Sequence, residues 1–170
     1  WPLWAGMASA AQADETVRHL LPRLEYPGGL ASTDSTSPGP VTAERIQRQW
    51  DFPFGWAPHQ VLAWHGLQRY GHEAESRRLA YRWLYTLTLN ASRFHGTVPE
   101  KLDVVARSHD VFAEYGNVGT RFAYITREGF GWTNASFQVA YSYANSEFTD
   151  LTGVTRPVLQ HTGEAGPLVT

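Results

Sequence analysis

Two stretches of the sequence concentrate aromatic, amide and carboxylate side chains at close spacing. The first, Gln49-Trp50-Asp51-Phe52-Pro53-Phe54-Gly55-Trp56-Ala57-Pro58, holds four aromatics, an amide and a carboxylate in ten residues. Sugars present hydroxyls around a flat apolar ring face, so their sites combine aromatic platforms with carboxylates and amides. The same composition would also serve a Pro/Gly-rich turn whose aromatics plug a core, with Asp51 as a turn or cap residue. The second stretch runs from Glu100-Lys101-Leu102-Asp103 through Glu114-Tyr115-Gly116-Asn117 to Gly129-Phe130-Gly131-Trp132-Thr133-Asn134. Its carboxylates at Glu100, Asp103 and Glu114 could supply a general base and ligands for sugar hydroxyls. Inverting glycoside hydrolysis requires two carboxyl groups about 6.5–9.5 Å apart, with the attacking water between them. A solvated acidic loop, with Lys101 pairing locally, uses the same residue types, and composition alone does not choose among the three.

Other chemistries have less to stand on. The chain has no cysteine, which removes disulfides, thiol catalysis and cysteine metal sites. His59 and His65 are six apart, and neither has a histidine three or four residues away, so no metal-ligand spacing is present. His109-Asp110 could form a catalytic pair, but the G-x-S-x-G elbow of a serine hydrolase and a Gly-rich phosphate cradle are both missing. With a net charge of −2 and no basic stripe, a nucleic-acid partner has no electrostatic basis. No apolar run approaches 18 residues, so no membrane span is expected.

The elements that must position these residues are helical. Val17, Leu20, Leu21 and Leu24 mark one helical face, which Pro22 should end or kink. The segment from Pro27-Gly28-Gly29 to Pro40 reads as a loop. A second helix is expected from about Pro58 to Tyr70, carrying Val61, Leu62, Ala63, Trp64 and Leu67 on more than one face and stopped by Gly71. A third opens at Glu73, with Leu79, Ala80, Trp83, Leu84 and Leu87 as its apolar stripe. After a long segment without period, a fourth helix places Phe137, Ala140, Tyr141, Ala144 and Phe148 on one face. An antiparallel pair formed by the second and third helices would bring the loops entering the second and fourth to the same end of the layer. Stacked hairpins of this kind build the pocket of an (α/α) barrel.

On these residues the chain resembles the α,α-trehalases, and its wording is closest to fungal neutral trehalases. Gln49–Pro58 is similar to the family's Q-W-D-x-P-x-G-W-A-P signature at every defined position. Trp1–Gly6 resembles its P-L-W-A-G segment, and Pro27-Gly28-Gly29-Leu30 its P-G-G stretch. Glu100–Asp103 is similar to its E-K-Y-D box, with Leu102 in place of the usual Tyr and Pro99 ahead of Glu100. Gly129–Asn134 resembles its G-F-G-W-T-N box. The resemblance implies an all-α fold, part of an (α/α)6 toroid incomplete in this chain. It also implies an inverting mechanism with no essential cofactor and no metal. Glu100 falls on the family's general base and Glu114 on a sugar-site carboxylate. Gln49, Trp50, Asp51, Trp56, Glu114, Tyr115, Phe130 and Trp132 are then the expected substrate-binding residues, and trehalose and glucose the expected ligands.

The family's acid is an Asp in an S-G-W-D motif, which this chain lacks. Residues 1–150 are accordingly expected to be the C-terminal portion of a catalytic barrel, with 151–170 an irregular tail. The expected partner is the missing N-terminal part of the same domain, without which the chain should be inactive. Two other readings stay open: a non-catalytic sugar-binding module, and a related toroid glycosidase acting on another glucoside. The resemblance implies a cytoplasmic location; the sequons Asn90-Ala91-Ser92 and Asn134-Ala135-Ser136 would matter if the protein were secreted.

Overall fold

Short polar signals set the first turns of the chain. Ser9 and Gln12 form a reciprocal capping box: the Ser9 amide donates to Gln12 Oε1 at 2.8 Å, and the Gln12 amide donates to Ser9 Oγ at 3.3 Å. The computed structural model of the chain describes residues 1–96, 98–111 and 130–152, the last eight of these by backbone alone. It is mostly helical, with a few short strands. Helix α1 is Pro2–Ala5 and α2 is Ala10–Glu15, followed by a π-helical turn at Thr16–Leu20 and by α3, Leu21–Leu24. The kink expected near Pro22 takes this form: the proline sits in the first turn of α3, where its missing amide is tolerated, and the wide turn precedes it.

The stretch expected to be loop contains a small hairpin. Strands β1 (Glu25–Tyr26) and β2 (Gly29–Leu30) pair antiparallel around Pro27-Gly28. Glycine at position 28 is enforced by backbone, because an added Cβ would lie 2.7 Å from the Val104 carbonyl oxygen. The Gly28 amide donates to that same oxygen at 2.7 Å.

Strand β3 (Phe54–Trp56) runs directly into helix α4 (Ala57–Arg69), with Pro58 in its first turn as expected. The helix stops at a Schellman turn: Gly71 is left-handed at φ 81°, its amide donates to Gln68 O at 3.0 Å, and that of His72 donates to Leu67 O at 3.0 Å. Helix α5 (Glu73–Arg93) then returns antiparallel, burying the expected Leu79, Ala80, Trp83, Leu84 and Leu87 together with Ser76, Tyr81, Thr86 and Asn90. In α4 the buried residues are Ala57, Gln60, Trp64, Gly66 and Leu67, while Val61, Leu62 and Ala63 are half-buried and His65, Gln68 and Arg69 exposed. That helix is more one-sided than its sequence suggests.

Strand β4 (Lys101–Asp103) precedes helix α6 (Gly131–Thr152), which packs on both α4 and α5. The face of α6 differs from expectation. Ala140 and Ala144 are buried as expected, but Phe137 and Tyr141 are 40% and 49% exposed, and Thr133, Ser136 and Tyr143 are buried in their place. Trp83 of α5 supplies the reason. Its indole fills the gap between the helices and its Nε1 donates to Ser136 Oγ at 2.8 Å, so α6 must present small residues there. The side chain of Phe148 and the expected tail beyond Thr152 lie outside the described residues; α6 itself runs through the first two residues of that tail. Among the described residues no helix is long and apolar enough to cross a membrane.

Candidate active site

The two chemistry-bearing stretches pair with each other as neighbouring strands. β3 and β4 are antiparallel, with Phe54 opposite Asp103, Gly55 opposite Leu102 and Trp56 opposite Lys101. Directly opposed residues share a face of the ladder, so Phe54, Trp56, Lys101 and Asp103 lie on one side and Gly55 and Leu102 on the other. The Leu102 side faces the core: Leu102 is fully buried, and a Cβ on Gly55 would meet Val104 Cγ1 at 2.4 Å and Leu30 O at 2.7 Å. Position 102 therefore belongs to the packing beneath the site. Glu100, half-buried, stands one step past the Trp56–Lys101 pair, where β3 becomes α4.

A single amide ties this ladder to the helical layer. Gln60, fully buried in α4, accepts from the Leu30 amide through Oε1 at 2.9 Å and donates through Nε2 to the Leu30 carbonyl at 2.6 Å. It satisfies both backbone groups of Leu30 as a neighbouring strand would. The Ser32 amide donates to Phe54 O at 2.9 Å and that of Val104 to Pro53 O at 3.1 Å, which ties the residues after β2 and β4 to the β3 segment.

On the outer face the aromatics form a wall. Trp50 stacks on Trp56 with ring centroids 3.9 Å apart and planes 17° from parallel, and Trp132 meets Trp56 edge-on at 5.7 Å. Trp56 is 1% exposed, while Trp50 and Trp132 are 40% and 42% exposed. Trp56 is thus the support, and its neighbours carry the exposed surface. Its Nε1 donates to the Gln49 carbonyl at 2.9 Å, which fixes how the loop enters the wall. The Lys101 ammonium, on a residue 1% exposed, lies 5.2 Å from the Trp56 ring centroid and 5.6 Å from that of Phe54. Burial pushes its pKa down to about 8, partly opposed by the charge of Glu100. His59 stands edge-on to Trp50 at 5.2 Å, and burial lowers its imidazole below the usual range, the N-terminal ammonium adding to the effect.

Two carboxylates near the wall are engaged in the scaffold. Asp51 Oδ2 accepts from Arg45 Nη2 at 2.8 Å and from the Arg48 amide at 2.9 Å, closing the loop before β3. Asp103 Oδ1 accepts from the Val105 and Ala106 amides at 2.9 Å each, an Asx turn ending β4.

The trehalase family model matches residues 1–145 of this chain. The chain belongs to the trehalase family. A probable trehalase of Saccharomyces cerevisiae is 49% identical over 148 residues, covering 86% of this chain and 19% of the relative. The cytosolic neutral trehalase of Kluyveromyces lactis is also 49% identical over 148 residues, covering 86% of this chain and 20% of the relative. Among solved structures, neutral trehalase from Saccharomyces cerevisiae superposes with a TM-score of 0.71 at 45% identity, over 86% of this chain and 23% of that one. The chain thus spans about a fifth of the length of the curated relatives it matches.

Within this trehalase-family chain, Gln49, Trp50 and Trp132 all meet at Trp56, and Glu100 immediately precedes the strand paired with it. Phe130 precedes α6, its carbonyl accepting from the Asn134 amide at 2.9 Å. Glu114 and Tyr115 lie outside the described residues. Among the described residues no group of three or more His, Asp or Glu could hold a metal ion. Sequence reasoning missed Gln60 and the buried setting of Lys101. Gln60 looks like any polar helix residue, although its position four before Trp64, on the apolar stripe, was a signal. The clue for Lys101 was its alternation with Leu102, which a three-residue strand is too short to display.

Proposed function

We propose that this chain is the base-carrying part of a trehalase catalytic domain, which hydrolyses α,α-trehalose to two glucose molecules with inversion. The observation that carries the reading is the β3–β4 ladder, which joins the tryptophan-bearing stretch Gln49–Pro58 to the strand that Glu100 immediately precedes. The exposed faces of Trp50 and Trp132 take the apolar face of a glucose ring, backed by Trp56. Glu100 takes a proton from water as the water oxygen bonds to the anomeric carbon. The glycosidic C–O bond breaks on the opposite face, and its oxygen takes a proton from a carboxylic acid outside this chain. Glu114 and Tyr115, with Gln49, Asp51 and Phe130, complete the substrate contacts in this reading.

The helical hairpin α4–α5 and helix α6 are then consecutive members of an (α/α)6 toroid, closed by the remainder of the catalytic domain. The relatives named cytosolic neutral trehalases support a cytoplasmic location. NMR of the first-formed products of the full-length protein tests the reading. One β-glucose and one α-glucose are expected per trehalose, and two α-glucose molecules would remove the inverting assignment.

A further inference from the structure

Lys101 is a fully buried lysine that neither the base nor the substrate contacts account for. A buried ammonium is costly unless its surroundings replace water, and here the aromatic faces of Phe54 and Trp56 are part of that replacement. Both rings belong to β3, and the Trp56–Lys101 pair is in register, so ladder geometry holds the cation on the indole. Trp56 is in turn the ring on which exposed Trp50 stacks and against which Trp132 sets its edge. We infer that Lys101 is a positioning residue for the reaction, its ammonium fixing the Trp56 indole and through it the Trp50 and Trp132 surfaces that hold the sugar. This rests on the proposed trehalase reading. The charged or titratable groups on the elements packed here are Glu100 and Asp103 on β4, the Arg45–Asp51 pair in the loop before β3, and His59 in the first turn of α4.

A platform that binds ground state and transition state alike controls KM more than kcat. In the full-length protein, Lys101→Met keeps the unbranched stem, one atom shorter, and removes the charge. It should raise KM for trehalose about tenfold and change kcat by less than about twofold. Lys101→Arg, which keeps a cation able to lie on an indole, should recover most of that loss. The circular-dichroism exciton band expected of the stacked Trp50 and Trp56 indoles should weaken in Lys101→Met and persist in Lys101→Arg.

A second measurement needs only the unmodified protein beside Lys101→Arg. KM of the former should climb as pH passes about 8, where Lys101 loses its proton, while that of the arginine variant stays flat. An unchanged KM and exciton band in Lys101→Met, or equal losses of kcat and kcat/KM, would overturn the inference. A flat KM up to about pH 9.5 in the unmodified protein would do the same. Failure of the trehalase reading shows separately, as no trehalose turnover by the unmodified full-length protein.

Discussion

Replacing Gln60 by leucine should detach the strand ladder from the helical layer without emptying the core. The two side chains are of similar size, so no large cavity forms. What is lost is the pair of hydrogen bonds at 2.9 and 2.6 Å to the Leu30 amide and carbonyl. Leu30 is 6% and Gln60 0% exposed, so water does not replace those bonds. Leaving one buried donor and one buried acceptor unpaired costs about 1–3 kcal/mol each. Added apolar burial offsets roughly 1 kcal/mol, leaving a net cost of about 3 kcal/mol. Local opening of β2 would then become about a hundredfold easier, at about 1.4 kcal/mol per factor of ten. Hydrogen–deuterium exchange of peptides spanning Tyr26–Ser32 in the full-length protein reads this directly. Exchange there should accelerate about a hundredfold while α5 peptides change little. An acceleration below about threefold would refute the assignment of Gln60 as the tie between β2 and α4.

Three further outcomes follow from the same geometry. Asn90 is 2% exposed and its Nδ2 donates to the Thr86 and Arg107 carbonyls; peptide mapping of folded protein from a glycosylating host should therefore find no glycan there. Lys101 has a folded pKa below its unfolded value, so the unfolded chain binds more protons between about pH 8 and 10.5 and stability should rise with pH across that window. Asp103→Asn keeps the oxygen that accepts from Val105 and Ala106, so it should cost less than about tenfold in kcat.

Much of this architecture is legible where one residue type has one physical use. Pro58 and Gly71 bracket α4 because proline suits a first helical turn and glycine the left-handed residue of a Schellman cap. The α5 stripe is read correctly because Leu79, Ala80, Trp83, Leu84 and Leu87 have no alternative partner face. The face of α6 is misread for the converse reason. Phe137 and Tyr141 carry the apolar signal, but at the contact with α5 the buried Trp83 indole is met by Ser136, which carries no such signal. The candidate site is legible as two boxes. Their pairing is not legible, because β3 and β4 are three residues each and show no period. The division of labour in Gln49–Pro58 also depends on contacts between distant residues. Asp51 turns toward Arg45, and Trp56 is covered by Trp50 and Lys101, so the exposed surface falls to Trp50.

The assignment of Glu100 as general base is tested most directly by Glu100→Gln in the full-length protein, with kcat and the affinity of a non-hydrolysable trehalose analogue measured together. A glutamine keeps the shape but takes no proton from water at neutral pH, and loss of a general base typically costs about 10²–10⁴-fold. The account predicts a fall in kcat of that order with analogue affinity nearly unchanged, because Trp50 stays stacked on Trp56. Near-normal kcat in Glu100→Gln, with activity abolished instead by Asp103→Asn or Glu114→Gln, would contradict it.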